Sequence, residues 1–368
     1  MVNTRMQRMS QSLKDSDFDA LALIPGPNLT YLTGLSFHLF ERPVVVLLAP
    51  ERKPLFILPE LEKSKAESGE LDADIFPYGE DHATWTEAFA GGAKAFGLDE
   101  MKVAVEPLRM RLMELQMLQK AAPGARFESG EEILAGLRAN KSSDEITDMR
   151  QAVWVAEQAL EETLKLIQLG MTERDLASEL TLQLLRAGSD PELPFAPIVA
   201  SGPNSAAPHA TPTTRQLRAG ELLLLDWGAM VRGYVSDLTR TLALGPIDPE
   251  LVEIHQVVQN ANQAARDAVV PGATCGDIDA AARGVIEAAG YGDFFVHRTG
   301  HGLGLEAHEP PFIRQGNPQL LEPGMAFTIE PGIYLEGRGG VRIEDDMVVT
   351  EEGGESLSSY RRELVTLE

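Results

Sequence analysis

The stretches Leu217-Arg-Ala-Gly-Glu-Leu-Leu-Leu-Leu-Asp226 and Leu321-Glu-Pro-Gly-Met-Ala-Phe-Thr-Ile-Glu330 decide the fold of this chain, because both follow the pattern L-x-x-G-x5-[D/E]. In each stretch the acidic residue ends an apolar run that is typical of a buried strand. A turn-rich segment then leads to a second acidic residue, Asp237 after the first stretch and Glu344 after the second. The sequence therefore carries one unit twice, and each copy contributes two carboxylates.

The repeat extends upstream of the acidic residues. The phrase Gly170-Met-Thr-Glu-Arg-Asp175 is matched by Gly272-Ala-Thr-Cys-Gly-Asp277 at an offset of 272 − 170 = 102 residues, and the first acidic residues are offset by 330 − 226 = 104. In each phrase the glycine is a helix C-terminal signal and the threonine is an N-cap signal. We therefore predict two pseudo-symmetric α/β halves of about 100 residues each.

Composition limits the classes of function. With 32 basic and 56 acidic residues the net charge is −24, which argues against nucleic acid or an anionic membrane surface as a partner. The longest apolar runs, at 44–49 and 222–225, fall far short of the roughly 18 residues of a membrane span, and the first eight residues lack a signal-peptide core. The single cysteine, Cys275, excludes an intrachain disulfide and favours a cytoplasmic location.

A domain boundary is predicted near Lys141. Residues 1–138 have the pattern of a separate α/β domain, with short apolar strands at 20–24, 44–48 and 54–58. Ser142-Ser-Asp-Glu145 is a capping box, and the apolar residues after it recur at spacings of three and four, as in one long amphipathic helix. We predict that this helix opens the repeated domain, residues 139–368, in a chain of the α/β (α+β) class.

The doubled carboxylates predict a metal site. An isolated acidic residue is usually a helix cap, a turn residue or a surface charge. If the two halves pack about a pseudo-twofold axis, however, four carboxylates converge and need compensating cations. The glycine-rich segment His297-Arg-Thr-Gly-His301-Gly-Leu-Gly304 can supply a nitrogen ligand. A flexible loop or a nucleotide loop are the alternatives for that segment, although its glycine spacing is not that of a dinucleotide site.

The expected ligand set is rich in oxygen, and it therefore favours two divalent ions of the Mn²⁺ type, with Co²⁺ or Zn²⁺ as alternatives. Two such ions can share a water, lower its pKa and stabilise a hydrolytic transition state. Histidines cluster near the same motifs, which favours catalysis over a purely structural role; they are His209, His297, His301 and His308. These observations together predict a hydrolase.

At this point the motifs resemble those of the pita-bread metallopeptidases, and within that superfamily those of the Xaa-Pro peptidases, prolidase and aminopeptidase P. The residues that carry the resemblance are Asp226, Asp237 in Ser-Asp-Leu-Thr-Arg-Thr, His301 in His-x-x-x-His-Gly-x-Gly, the pair His308-Glu309, Glu330 in Glu-Pro-Gly-Ile-Tyr, and Glu344 in Gly-Val-Arg-Ile-Glu-Asp. The resemblance covers the whole chain. It implies a creatinase/prolidase-type N-terminal domain that selects substrate length and dimerises, followed by a pita-bread catalytic domain.

The resemblance also implies roles for individual residues. The metal ligands would be Asp226, Asp237, His301, Glu330 and Glu344. Asp237 and Glu344 would bridge the two ions, and Glu330 would also act as the general base. His209 and His308 would flank the substrate, one hydrogen-bonding the scissile carbonyl and the other orienting the leaving side. For His209, a surface loop histidine is the ordinary alternative.

Three further residues are implied in supporting roles. His297 would line the proline pocket, and a core hydrogen bond is its alternative. Arg342 would belong to the catalytic set as a support for the carboxylates, because it lies two residues before Glu344 and its side chain would point to the same face of an extended strand. A strand-edge salt bridge is the alternative for Arg342. Tyr334 is a weaker candidate for a similar supporting role.

The chain departs from many prolidases after His308, where Glu309-Pro-Pro-Phe312 replaces the x-Pro-Arg that is often seen there. This departure leaves open how the substrate C-terminus is held. A dipeptide carries a carboxylate near its scissile bond, for which an arginine is the best geometric partner. We predict Arg42 as that partner, and an exposed arginine paired with Glu41 or solvent is the alternative.

The expected function is hydrolysis of Xaa-Pro dipeptides by a cytoplasmic homodimer, with a proline-containing di- or oligopeptide as substrate. An aminopeptidase P acting on longer peptides is the main alternative. More remote alternatives are a methionine aminopeptidase-like enzyme, a creatinase-like enzyme and a non-catalytic pita-bread binding protein. The last two lack metal ligands that this chain retains, and substrate length is the property that the repeat does not decide.

Overall fold

The computed structural model describes residues 2–367. It divides the chain into two compact units, Met1–Arg138 and Ala139–Glu368. Among residues 2–367, no helix is both long enough and apolar enough to cross a membrane.

The N-terminal unit is an α/β domain built on one six-stranded sheet of order β4-β3-β2-β1-β5-β6. Its elements are α1 (Val2–Lys14), β1 (Ala20–Leu23), α2 (Pro27–Thr33), β2 (Val45–Leu48), β3 (Leu55–Pro59), α3 (Lys63–Glu67), β4 (Asp74–Tyr78), α4 (His82–Phe96), β5 (Lys102–Val105), α5 (Leu112–Ala121), β6 (Arg126–Ser129) and α6 (Glu131–Ala139). The three strands expected from the sequence are present as β1, β2 and β3. All three are buried along their length, which explains why their sequences are apolar without alternation.

The second unit contains the repeat. Its first half comprises α7 (Ser143–Leu164), α8 (Glu173–Ala187), β7 (Ile198–Ser201), β8 (Glu221–Trp227), β9 (Met230–Val231), β10 (Tyr234–Val235) and β11 (Leu238–Leu244). Its second half comprises α9 (Pro249–Asp267), α10 (Cys275–Ala288), β12 (Gly300–Gly302), β13 (Glu309–Ile313), β14 (Ala326–Ile329), β15 (Gly332–Leu335), β16 (Gly339–Arg342), β17 (Asp345–Thr350) and β18 (Gly353–Ser356), and β19 (Thr366–Leu367) ends the chain. Each half is a helix pair packed on an antiparallel sheet.

The two halves correspond residue by residue at their helix starts. Thr172 caps α8 and Thr274 caps α10, each in a capping box with the aspartate three residues later. The amide of Gly170 donates to Leu217 O at 3.0 Å, and the amide of Gly272 donates to Leu321 O at 2.9 Å. The repeat and the capping box at Ser142 that were predicted from the sequence are therefore confirmed.

The two sheets have the orders β19-β11-β8-β7 and β13-β12-β14-β17-β18. They meet where Glu344 N donates to Thr239 O at 3.1 Å. Arg240 spans this junction, because its guanidinium donates to the carbonyls of Thr239 at 2.8 Å and Glu344 at 2.6 Å and to Asp345 at 2.9 Å. The junction brings the ends of equivalent strands, with their acidic residues, to one place.

Candidate metal centre and active site

A cavity of about 540 Å³ opens in the C-terminal unit where the strand ends converge. It is lined by Phe195, Ala196, Ile198, Pro208, His209, Asp226, Asp237, His297, Arg298, His301, His308, Glu330, Arg342 and Glu344. Nine of these residues were singled out from the sequence. Tyr334 does not line the cavity, but its hydroxyl accepts a hydrogen bond from Arg342, which does, at 2.9 Å. The structure thus brings together almost the whole predicted set.

The four carboxylates reach the cavity from equivalent positions. Asp226 lies near the end of β8 and Glu330 directly follows β14. Asp237 directly precedes β11 and Glu344 directly precedes β17. Three of the four are buried, and Glu330 is only slightly exposed. Burial of this much like charge is costly unless it is compensated.

The electrostatics of the cavity confirm that cost. Burial, together with the charge of Glu344, holds the pKa of the Asp237 carboxyl well above its usual range. Burial and the neighbouring Glu330 do the same for the pKa of Glu344. Burial also raises the pKa of Glu330 to about 7, although the Arg342 guanidinium opposes the change. The protein alone therefore does not neutralise its carboxylates, and a cation is what this geometry lacks.

His301 faces the carboxylates from β12. A Cβ at Gly300 would lie 1.9 Å from Thr328 O, and a Cβ at Gly302 would lie 2.4 Å from Pro310 O. Only glycine therefore fits on either side of His301, between the neighbouring strands. Nδ1 of His301 lies 3.2 Å from Gly302 O, which can only accept, so Nε2 presents its lone pair to the cavity.

The donor set fits a metal centre. Ligand atoms of Asp237, His301 and Glu344 lie within 4.8 Å of one another. His301 Nε2 is 3.4 Å from Glu330 Oε1 and 3.7 Å from Asp237 Oδ2, so these groups converge at distances longer than good hydrogen bonds. Oδ1 of Asp226 is buried with no hydrogen-bond partner in the part of the chain that the structure describes. Orphaned, converging oxygen and nitrogen donors are what a divalent cation would satisfy.

Arg342 is a buried cation of the cavity, and four of its five N–H groups donate to neighbouring side chains and backbone. It donates to Asp226 Oδ2 at 2.5 Å, Thr239 Oγ1 at 3.1 Å, Tyr334 OH at 2.9 Å and Pro208 O at 3.2 Å. Its guanidinium therefore orients one carboxylate and contacts the loop next to His209.

The three remaining histidines also line the cavity. His297 contacts Tyr334 OH through Nε2 at 2.8 Å and Arg298 O through Nδ1 at 2.7 Å, and burial lowers its pKa to about 4, so the ring is neutral. His209 and His308 are exposed. The His308 ring packs edge-on against His301 with centroids 4.1 Å apart. Side chains that line the cavity can contact a bound substrate.

Sequence reasoning missed one residue of the cavity, Arg298. Its guanidinium stacks over the Phe312 ring at 4.5 Å, and residues 2–367 give it no hydrogen-bond acceptor. The signal was present, because Arg298 lies between the two singled-out histidines of the glycine-rich segment. Phe312 is the residue at which the chain departs from the x-Pro-Arg pattern.

Arg42, the predicted partner of a substrate carboxylate, belongs to the N-terminal unit. Its guanidinium donates to Glu80 at 2.7 Å and lies 3.5 Å from Glu41. The pairing with Glu41 is the one weighed as the alternative from the sequence. The substrate role of Arg42 stays a prediction.

Comparisons with known proteins identify relatives for both units. Residues 147–351 match the model of Metallopeptidase family M24, and residues 5–140 match that of the Creatinase/Prolidase N-terminal domain. The Xaa-Pro dipeptidase of Lactobacillus helveticus is 36% identical over 361 residues, 98% of each chain.

Two solved structures are similar from end to end. A dipeptidase from Pyrococcus horikoshii OT3 superposes with a TM-score of 0.93 at 39% identity, covering 99% of this chain and 100% of that one. A prolidase from Thermococcus sibiricus superposes with a TM-score of 0.95 at 33% identity, covering 100% and 99%. The likeness therefore extends over both units.

Proposed function

We propose, since this chain belongs to metallopeptidase family M24, that it is a metal-dependent Xaa-Pro dipeptidase, which hydrolyses the bond between an N-terminal residue and a following proline. The resemblance drawn from the motifs is confirmed by the family match and by the relatives named Xaa-Pro dipeptidase and prolidase. The observation that carries the proposal is the single cavity in which four carboxylates and one imidazole converge.

We assign the metal to the five residues that face one another there. Asp226, Asp237, His301, Glu330 and Glu344 would hold two divalent cations. We propose Mn²⁺, because oxygen donors outnumber nitrogen, and Co²⁺ or Zn²⁺ are the alternatives. When bound, such cations supply a Lewis acid and an activated water. Analysis of purified protein for bound metal tests the assignment, and a chain that holds none under saturating Mn²⁺ would contradict it.

The side chains around the ligands have separate tasks in this proposal. The Glu330 carboxylate accepts the proton of the attacking water. His209 and His308 line the cavity, where one can donate to the scissile carbonyl oxygen as charge develops and the other can orient the leaving proline. The neutral His297 ring, held by Tyr334, forms a wall of the proline pocket. Arg342 keeps Asp226 oriented.

In our proposal, Arg298 selects substrates by their length. A dipeptide places its carboxylate close to the scissile bond, and Arg298 is the cavity cation whose donors lack an acceptor within residues 2–367. Stacking on Phe312 fixes the plane of the guanidinium while leaving its edge free for a carboxylate. In many prolidases the x-Pro-Arg pattern would supply this cation. In our proposal Arg298, which lies just before the neighbouring strand β12, supplies it instead. An aminopeptidase acting on longer peptides remains the alternative.

The experiment compares Ala-Pro, Ala-Pro-amide, Ala-Pro-Ala and Met-Ala-Ser at equal metal loading. We expect cleavage of Ala-Pro to dominate. Arg298→Met should raise the KM for Ala-Pro by about 10-fold to 100-fold, the value of one charge-assisted hydrogen bond, and should change the amide little. Arg42→Ala is the parallel variant. Equal effects on Ala-Pro and its amide would contradict the role of Arg298, and preferred cleavage of Ala-Pro-Ala or Met-Ala-Ser would favour the other activities.

We also propose a cytoplasmic homodimer in which the N-terminal unit takes part in dimerisation and substrate-length selection. The only cysteine is free and buried, which fits a reducing compartment. The N-terminal unit exposes large apolar side chains, Phe40, Leu108 and Leu112. Exposed apolar groups of this kind are common at subunit interfaces. Light scattering of the intact chain and of Leu108→Glu tests the dimer.

A further inference from the structure

The loop that carries His209 is held at both ends by one buried carboxylate, that of Glu173. We propose that Glu173 is the positioning residue for His209. The inference rests on the proposed function in one respect, namely that His209 faces the substrate. Glu173 itself lies outside the cavity, and its action is indirect.

Glu173 is the first residue of α8 and is fully buried. At the start of the loop its carboxylate accepts from Ser201 N at 2.8 Å and Ser201 Oγ at 2.9 Å. At the end of the loop it accepts from Thr213 N at 3.0 Å and Thr213 Oγ1 at 2.6 Å. Asn204 Nδ2 adds contacts at 3.0 Å and 3.2 Å. One side chain therefore holds together the two ends of a loop, and His209 lies in the far part of that loop.

The far side of the loop is tied to the active site. Pro208 O accepts from Arg342 at 3.2 Å, and Ser205 Oγ accepts from Gly340 N at 2.9 Å. His209 directly follows Pro208. Its backbone is therefore fixed between two anchors, Glu173 at the base and Arg342 at the cavity. Loss of the base anchor lets the start of the loop shift, because the remaining contacts of Ser205 and Pro208 hold only its far side.

The Glu173 carboxylate accepts hydrogen bonds from both ends of the loop. Its donors are hydroxyls, an amide and backbone N–H groups, and the charge of Arg215, which donates to Ser201 Oγ at 2.8 Å, also acts on it. Burial alone would raise its pKa, but the bonds from Thr213 and Ser201 hold the pKa of this carboxyl below its ordinary value. An amide in its place keeps one acceptor oxygen and turns its NH2 group toward the donors at the other end of the loop. Glu173→Gln therefore releases one end of the loop while keeping the shape of the side chain.

The repeat shows that the fold does not require this carboxylate. In the second half the equivalent position is Cys275, directly after the capping threonine, and α10 begins with the same capping box. The capped helix thus forms without an acid at this position. What differs is the loop beyond, because the first half carries His209 there. The placement of Glu173 therefore follows the function of one half.

The test uses a matched control on the same helical turn. Asp175 belongs to the capping box and contacts Thr172 but not the loop, so Asp175→Asn weakens the helix start alone. We expect Glu173→Gln to lower kcat for Ala-Pro by about 10-fold or more with little change in KM, and Asp175→Asn to change it less than about 2-fold. In a His209→Ala background, Glu173→Gln should add less than about 2-fold, because both changes remove one contribution.

Hydrogen exchange supplies a readout that does not depend on activity. Glu173→Gln should speed amide exchange across residues 202–213 and leave bound metal unchanged. Thr213→Val is a milder variant that removes one donor, and it should show a smaller effect of the same kind. The inference would be overturned if the losses of kcat caused by Glu173→Gln and His209→Ala multiplied in the double variant. It would also be overturned if Asp175→Asn lowered kcat as much as Glu173→Gln, or if amide exchange in residues 202–213 stayed unchanged. A wild-type chain without Xaa-Pro hydrolysis would instead overturn the proposed function.

Discussion

At the scale of single residues, the cavity is defined by charge that the chain does not balance itself. Arg342 contacts one of the four carboxylates directly, and it leaves Oδ1 of Asp226 without a partner among residues 2–367. The carboxylates whose charge is not balanced are those that the repeated sequence pattern supplies. A site of this kind is stabilised by cations and strained without them.

Asp226→Asn tests this balance. The variant keeps an acceptor for Arg342 but removes a charge from the cavity, so we expect bound Mn²⁺ to fall from about two ions per chain to about one or fewer. Elemental analysis after equilibrium dialysis measures the change. Asp346→Asn is the control, because Asp346 is a buried acidic residue of β17 that does not line the cavity. Equal metal loss in both variants would contradict the assignment.

His255, away from the cavity, gives a pH dependence with a definite sign. It is buried on α9, and burial lowers its pKa to about 4. Between pH 6.5 and 4 the unfolded chain therefore binds a proton that the folded chain excludes, so stability is lost as the pH falls through this window. From pH 7 to pH 5, His255→Gln should lose about 2 kcal/mol less than the wild type in urea unfolding. The exposed His82→Gln should behave like the wild type.

At the scale of elements, helix starts were the most predictable features. The capping boxes at Ser142, Thr172 and Thr274 use residues three positions apart, and the bonds that close them are local. Strands β1 to β3 were also predictable, because buried strands are apolar without interruption. By contrast, the separate ribbon of β15 and β16 was not predicted, although Gly337 in its three-residue turn is a local hairpin signal.

The segment from His297 to His301 shows how an element can depend on a distant one. Asp279 on α10 accepts from Thr299 N at 3.2 Å and Thr299 Oγ1 at 2.8 Å, and Arg283 donates to His297 O at 3.0 Å. The helix thus fixes the backbone on which His297, Arg298 and His301 lie. In the other half Glu173 holds a loop from a helix start, so each half supports its substrate-side residues with a buried carboxylate.

At the scale of the C-terminal unit, the two halves are joined through Arg240. Its donors reach Thr239 O, Glu344 O, Asp345, Tyr360 O and Arg361 O, so one buried guanidinium connects both sheets and the end of the chain. Asp345 is also paired with Arg362 at 2.7 Å. The backbone that presents Asp237 and Glu344 therefore depends on this cluster.

Arg240→Met should destabilise the protein by about 3–5 kcal/mol, because it leaves buried carbonyls unpaired and removes one partner of a buried ion pair. Chemical unfolding at neutral pH measures the loss. Arg338→Met is the matched control, since Arg338 pairs with Asp248 and Glu250 on the surface and is 42% exposed. We expect the control to cost far less, because a solvent-exposed ion pair contributes little to stability. Equal losses would show that the junction does not depend on Arg240.

The sequence by itself determined the repeat, the helix caps, the buried strands and the residue types of the cavity. Each of these depends on neighbours a few positions apart, or on one pattern occurring twice. Tertiary structure decided what the repeat cannot encode. Arg298 reaches Phe312 across neighbouring strands, Glu173 reaches residues 28 and 40 positions away, and Arg240 reaches Glu344 at 104. Such contacts follow from the path of the folded chain, because a side chain satisfies its donors and acceptors with whatever the fold brings near.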